Sequence, residues 1–274
     1  MIFPDPAAIW RHRRKLGRWK HEVSHRQRKV LATGRWLELV EYRVKVPLHL
    51  KGMRLLFFSD LHWQDHPGLA REIENFARKA HADWVIFGGD LISFSCFLNS
   101  ANAVLKTLEA KRGKLAVPGN WDRKRWKWFS QEKWRAALAD AGFEFLCNQP
   151  CNDKDGLRFW GTDDLRLGQP VFEAAESKPD YQVVIAHNPD TAIELEDHLH
   201  HIDLILCGHT HAGQIRLPLI GPLYTSSVYW RKFDYGLFRN EKTGSQMIVT
   251  SGIGSSSLDI RMRCPREMLL IRFL

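Results

Sequence analysis

The sequence predicts an α/β domain with largely parallel strands, and three observations carry that reading. Short apolar runs alternate with stretches of helical spacing through the middle of the chain. Five of those runs each stop at residues whose side chains bind metals. With 274 residues, 44% of them hydrophobic, the chain can bury one large α/β core or two small ones.

Taken in order, residues 8–32 read as a strongly basic helix, with Trp10, Leu16, Trp19, Val23, Val30 and Leu31 as its apolar minority. Leu39, Tyr42, Val44 and Val46 then alternate as in a strand that Pro47 ends. The five apolar runs follow at 54–58, 84–87, 114–117, 181–186 and 204–207. Helical spacing fills 67–80, 97–110, 123–141 and 191–198. Residues 214–274 are richer in Gly, Ser, Thr and Tyr and read as further strands and loops.

The formal charge is +9, and residues 1–50 alone hold 12 Lys/Arg against 4 Asp/Glu. Any acidic partner therefore concerns the N-terminal segment first. A basic helix carrying tryptophans suits an anionic membrane surface, although such a run also serves as a solvated face or a protein or nucleic-acid contact. The five cysteines, Cys96, Cys147, Cys151, Cys207 and Cys264, form no CxxC pair and read as free thiols, which fits a reducing compartment. No run approaches the roughly 18 apolar residues of a membrane span, and no secretory h-region follows the basic start. The expected location is cytoplasmic, with peripheral attachment to the inner face of a membrane as an option.

The chemistry lies where the five runs end. They lead into Ser59-Asp60-Leu61-His62, Gly88-Gly89-Asp90, Pro118-Gly119-Asn120, Ala186-His187 and Gly208-His209-Thr210-His211. In open α/β sheets ligands bind at the carboxyl ends of the strands, so all five loops can meet at one site. Asp, Asn and His together suit Mn²⁺, Fe²⁺ or Zn²⁺. A carboxylate such as Asp90 can bridge two ions about 3.5–4 Å apart, which is the arrangement that clamps an in-line phosphoryl displacement. One Asp after a strand is usually a turn or cap, and one His usually a core or surface residue. Five such endings in this order favour a metal centre.

The ordered set Asp60-x-His62, Gly89-Asp90, Gly119-Asn120, His187 and Gly208-His209-x-His211 resembles the calcineurin-like metallophosphoesterases. GHTHAGQIRLP and the closing GIGSSSLDIRMRCPREMLLIRF are similar to a bacterial subgroup of membrane-associated phosphoesterases and lipid A precursor pyrophosphatases. The resemblance spans residues 39–274, leaving 1–38 as a basic N-terminal arm. It implies a four-layer α/β/β/α sandwich and two divalent ions, Mn²⁺ first, with Fe²⁺ or Zn²⁺ as alternatives. One ion would take Asp60, His62, Asp90 and His211, and the other Asp90, Asn120, His187 and His209. Asp90, Asn120 and His209 are also the expected catalytic residues.

Many members of that family place a histidine directly after the asparagine, where this chain has Trp121. An indole cannot pass a proton to a leaving group, and general acid catalysis is typically worth about 10²–10⁴-fold. The reading therefore tilts toward a pyrophosphate or activated diester, with UDP-2,3-diacylglucosamine or another lipid-linked nucleotide as the substrate class. Asp65, His66, Asp122 and Asp163 are the side chains that could compensate. Arg123, Arg125 and Asp163 are the expected substrate-binding residues; Trp126 or Trp128 could line an apolar groove, but the stretch reads first as an ordinary amphipathic helix capped by Asp122, with Trp126, Phe129, Trp134, Ala137 and Leu138 facing the core. Asp163 and Asp164 either orient the site or make a turn, and residues 217–235 form either a flap or a surface loop. A nuclease, a cyclic-nucleotide phosphodiesterase and a non-catalytic scaffold of this fold are the competing functions. Nucleic acid is not the expected partner, because the charge lies mostly outside the domain.

Overall fold

The computed structural model describes residues 5–22, 28–125, 130–255 and 259–274. Two seven-stranded sheets dominate it. From edge to edge, sheet I runs Arg28–Thr33, Glu38–Val44, Glu267–Phe273, Arg54–Phe58, Trp84–Phe87, Gly113–Ala116 and Phe143–Phe145. Sheet II runs Trp19–Glu22, Gly236–Asn240, Gln246–Val249, Leu204–Cys207, Tyr181–Ile185, Leu157–Gly161 and Gln149–Asn152. Each holds a parallel block of four: Arg54–Phe58 through Phe143–Phe145 in sheet I, and Gln246–Val249 through Leu157–Gly161 in sheet II.

The period-2 alternation of strand side chains explains the layers. Leu55 and Phe57 face the other sheet, where they meet Phe159, Val183 and Ile185. Leu56 and Phe58 face outward onto Leu69, Ile73, Val104 and Leu138 from the helices Pro67–Ala80, Leu98–Lys106 and Gln131–Asp140. On the far side, Val184 and Ile205 pack against Ala192, Ile193 and Leu199. Three apolar layers thus separate four layers of secondary structure, the α/β/β/α sandwich that the motifs implied. Strands buried on both faces read as continuous apolar runs, which is why these five were visible in the sequence.

Helix boundaries follow local chemistry. Pro67 opens Pro67–Ala80, the His66 ring accepts from the Leu69 amide at 3.0 Å, and His81 closes the helix in a left-handed conformation. The helix expected over 123–141 is divided into Asn120–Arg125 and Gln131–Asp140, the second capped by Ser130. Trp126, Trp128 and Phe129 lie outside the described residues.

The N-terminal segment departs most from expectation. In place of one helix over 8–32 it forms two short helices, Pro6–Arg11 and Arg13–Arg18, and the edge strands Trp19–Glu22 and Arg28–Thr33. Each strand pairs antiparallel with a different sheet. Tertiary packing overrides helix propensity here: Trp19 is fully buried, Leu16 nearly so, and both join the core outside sheet II. Arg18 pairs with Glu196, 178 residues further along the chain. Among the described residues no helix is long and apolar enough to cross a membrane.

Candidate metal centre

The chain turns sharply as it leaves the parallel strands, and the turns aim its polar side chains at one point. Asp60, His62, Asp90, His209 and His211 all have positive φ, between 41° and 70°. Side-chain-bearing residues adopt this region at a cost, and such strain gathers at functional sites. The loops interlock through their backbones, with the Asp60 amide donating to Gly89, the His62 amide to Asp90 and the Gly208 amide to His187. Glycine is required at two of these crossings. A Cβ on Gly89 would sit 2.5 Å from the Gly119 nitrogen, and one on Gly208 would sit 2.2 Å from Asp60 Oδ2.

All seven residues singled out from the sequence come together. His62 Nε2 lies 3.5 Å and His187 Nε2 3.3 Å from Asp90 Oδ2. His211 Nε2 is 3.4 Å from Asp60 Oδ1, and His187 Nε2 is 4.0 Å from that same oxygen. Asn120 Oδ1 and His209 Nδ1 each stand 3.1 Å from His187 Nε2. Two triads, Asp60–His62–His211 and Asp60–Asp90–His187, bring their donor atoms within 4.8 Å of one another. Asp60 Oδ1 and His62 Nε2 are buried with no hydrogen-bond partner among the described residues. A buried carboxylate oxygen and ring nitrogen left bare in one cavity would be costly, so the donor set fits a divalent cation.

The donors also set one another's protonation. Burial alone would strip the His187 proton, but Asp90 and Asp60 hold its pKa up at about 10. Burial raises Asp60 to about 6 against the pull of His187. It would raise Asp90 too, yet His187, His62 and His209 hold that carboxyl well below its usual range. Burial lowers His62 to about 4, and takes His209 and His211 well below the ordinary imidazole value. The neutral imidazoles of His62, His209 and His211 are the ligand form a metal requires, and at His187 a bound cation would take the place of the ring's second proton.

A surrounding shell holds these groups in place. His187 Nδ1 lies 2.8 Å from the Gly88 carbonyl, and donating there leaves Nε2 free to face the carboxylates. Asp60 Oδ2 accepts from the His209 amide at 2.9 Å, and Asp90 Oδ1 from the Trp121 amide at 2.7 Å. Asp122 is fully buried and accepts from the amides of Asp90, Leu91 and Gly119 and from Trp134 Nε1, at 2.7–3.1 Å. Burial, with Asp90 nearby, raises it to about 7. Sequence reasoning gave Asp122 only a capping or compensating role. Its place two residues after Asn120 is the one signal that pointed to the site.

The expected substrate-binding residues are arranged differently from the seven donors. Arg123 and Asp163 form a two-armed ion pair, with Nε 2.6 Å from Oδ1 and a second nitrogen on Oδ2. Asp163 also accepts from the amides of Asp164 and Gln169, so it shapes a turn. Arg125 lies over the rings of Trp121 and Phe94, at 5.2 and 5.6 Å, and Trp121 meets His62 edge-on at 5.4 Å. Of the other side chains considered as stand-ins for a histidine, Asp65 accepts from Trp63 and His66 caps a helix. Asp190 went unnoticed in the sequence. It is buried and ties Ser227 Oγ (2.6 Å) and the Val228 amide (2.8 Å) to the His187 loop.

Comparison with known proteins places this geometry. The family described as calcineurin-like phosphoesterase matches residues 53–213, which contain all seven donors. The chain is 29% identical over 248 residues to metallophosphoesterase YkuE of Bacillus subtilis, covering 85% of this chain and 84% of that protein. It is 30% identical over 247 residues to phosphodiesterase YaeI of Escherichia coli, covering 86% of this chain and 88% of the other. It is 28% identical over 149 residues to UDP-2,3-diacylglucosamine pyrophosphatase LpxG of Chlamydia trachomatis, covering 50% of this chain and 43% of that one.

Proposed function

The chain belongs to the calcineurin-like phosphoesterase family, and from that premise we propose that it is a two-metal hydrolase of phosphodiester or pyrophosphate bonds. The family normally binds two divalent ions, and the protein is a metal-dependent phosphoester hydrolase. The observation that carries the finer reading is the convergence of seven donors, six of them buried and three of those with a bare, unpartnered atom. In this reading Asp60, His62, Asp90 and His211 hold one ion, and Asp90, Asn120, His187 and His209 hold the other. Mn²⁺ is the proposed metal. Such ions, when bound, polarise phosphoryl oxygens and make a water more acidic.

The chain's own residues do the rest. Asp90 fixes the relation between the two halves of the centre, because it faces His62 and His187 at once. Asn120 and His209 reach the same point from opposite sheets, which orients a phosphoryl group between them. Trp121 supplies an apolar wall and no proton. Attack of water on one phosphorus of a pyrophosphate breaks the bridging P–O bond and expels the other phosphate, a group that needs little protonation to leave.

That chemistry, and the likeness to a protein named as a pyrophosphatase, support UDP-2,3-diacylglucosamine or a related lipid-linked nucleotide as substrate. The enzyme would then work at the inner face of a membrane. Filled ligand positions weigh against a non-catalytic scaffold.

The test is hydrolysis by Mn²⁺-loaded protein of UDP-2,3-diacylglucosamine, bis-p-nitrophenyl phosphate and p-nitrophenyl phosphate, with Asp90→Ala as control. Release of UMP from the lipid nucleotide, lost in the variant, is the expected result. Turnover of the model diester alone would keep the hydrolase and reject that substrate. Silence on all three by protein shown to hold metal would reject the proposal.

A further inference from the structure

A short hairpin beside the metal centre exposes apolar side chains where a water-facing loop would carry polar ones. Immediately after His211–Gly213 the chain forms the paired strands Arg216–Leu217 and Gly221–Pro222. Leu219 at its tip is fully exposed, and Ile220 and Leu223 are about half exposed. Leu219 also has φ 63°, a conformation that favours Gly, Asn or Asp. An exposed leucine in that conformation is unfavourable twice over, and strained, apolar tips of this kind mark contact sites.

The surface continues onto the neighbouring segment. Ile215 bridges Met262, the Arg216 amide donates to the Met262 carbonyl, and Gln214 Nε2 donates to Ile260. Ile260 and Met262 are exposed as well. Cys264, from the same segment, donates its thiol to the His211 carbonyl, so the patch is joined directly to a proposed ligand.

Charge identifies the occupant. Residues 211–234 and 259–266 contain six Lys/Arg and two Asp. Arg216 pairs with Asp234 and Arg266 with Asp259, and the surface keeps a net positive charge through Arg231, Lys232, Arg261 and Arg263. Apolar insertion ringed by cations matches an anionic bilayer surface. The same cations would repel one another in a two-fold contact between copies of the chain, where each patch meets itself. The N-terminal segment is less suited to insertion, because Leu16 and Trp19 are already buried against sheet II.

We infer that the 216–223 hairpin, with Ile260 and Met262, inserts into the interface of an anionic phospholipid bilayer. The tip lies eight residues from His211, so the centre stays within about 28 Å of the interface even if that segment were fully extended. The bilayer contact stands apart from the proposed chemistry; only the claim that substrate comes from the membrane rests on that reading.

The experiment is flotation of the full chain with phosphatidylcholine vesicles, with and without phosphatidylglycerol. The wild type should bind the anionic vesicles and release them at high salt. Leu219→Asp combined with Ile220→Asp should lower the partition coefficient by about tenfold or more, since each buried CH₂ counts toward binding. Turnover of bis-p-nitrophenyl phosphate should stay unchanged, which shows the variant folded. Arg263→Glu should reduce the preference for phosphatidylglycerol, whereas Arg13→Glu with Arg14→Glu should leave binding intact. Equal flotation of the Leu219/Ile220 variant, absence of wild-type flotation on either vesicle, or a solution dimer abolished by that variant would overturn the inference. A wild type that floats with anionic vesicles yet turns over no diester would instead count against the hydrolase alone.

Discussion

The two sheets contribute different chemistry to the one centre. Sheet I supplies every oxygen donor, Asp60, Asp90 and Asn120, and one imidazole, His62. Sheet II supplies imidazoles only: His187, His209 and His211. Both donor triads cross between the sheets, each drawing two side chains from sheet I and one imidazole from sheet II. The acidic half also governs the basic half, since Asp90 and Asp60 hold the His187 pKa up against complete burial. Each half is braced by one buried carboxyl that is not a donor. Asp122 gathers four hydrogen bonds on the sheet I side, while Asp190 ties Ser227 and Val228 on the other.

Removing the shared carboxylate is the most direct way to break this arrangement. Asp90→Ala should lower kcat/KM on bis-p-nitrophenyl phosphate by about 10³-fold or more, the scale of losing a main electrostatic element of a site. Metal content should fall in the same variant, measured by elemental analysis after dialysis. A variant that keeps both ions and most of its activity would show that the halves are held together by something other than Asp90.

The braces should differ in a graded way. Asp122→Ala frees three backbone amides in the loops that carry Asp90 and Asn120, and should weaken metal binding by about 10–100-fold, the usual cost of losing an outer-shell partner. Asp190→Ala frees one amide and one hydroxyl farther out and should cost less. Competition with a chelating dye reads both. The reverse order would mean that sheet II is the less tolerant half.

The ion pair between Arg123 and Asp163 sharpens the same comparison, because it joins the helix Asn120–Arg125 to the loop after the sheet II strand Leu157–Gly161. Arg123→Ala and Asp163→Ala should each destabilise the fold, and the double variant should cost about 1 kcal/mol less than their sum, as expected for side chains in contact. If Arg123 serves substrate instead, KM would rise in its variant without that coupling.

The seven converging donors were legible because each follows a buried strand within a few residues, so the sequence pattern carries both the strand and the residue that follows it. Asp60, Asp90, Asn120, His187 and His209 all sit where parallel strands end. Arg123 looked free because its partner lies 40 residues away, and no periodicity encodes such a pairing. Asp122 was underrated for the same reason, since two of its hydrogen bonds reach back 31 and 32 residues to backbone amides. The basic start of the chain misled because helix propensity is weak next to a buried tryptophan and an open sheet edge. Trp19 decides that segment, and its neighbours in the core come from residues 160–249.

Asp190 offers the finest test of the comparison. Burial raises its pKa to about 6, opposed by the hydrogen bonds from Ser227 and Val228, whereas an unfolded aspartate titrates near about 3.9. A raised folded pKa means that the protonated form favours the native state. Its contribution is complete below about pH 4 and is lost as pH climbs through 6. Asp190→Asn cannot ionise, so it escapes that loss while keeping a side-chain oxygen near Ser227. The difference in Tm, variant minus wild type, should therefore rise between pH 4 and pH 7 and then level off. Taking the difference removes the titrations both proteins share, including that of Asp122. A flat difference would mean that the Ser227 and Val228 hydrogen bonds fully offset burial, and that the sheet II brace is as comfortable charged as neutral.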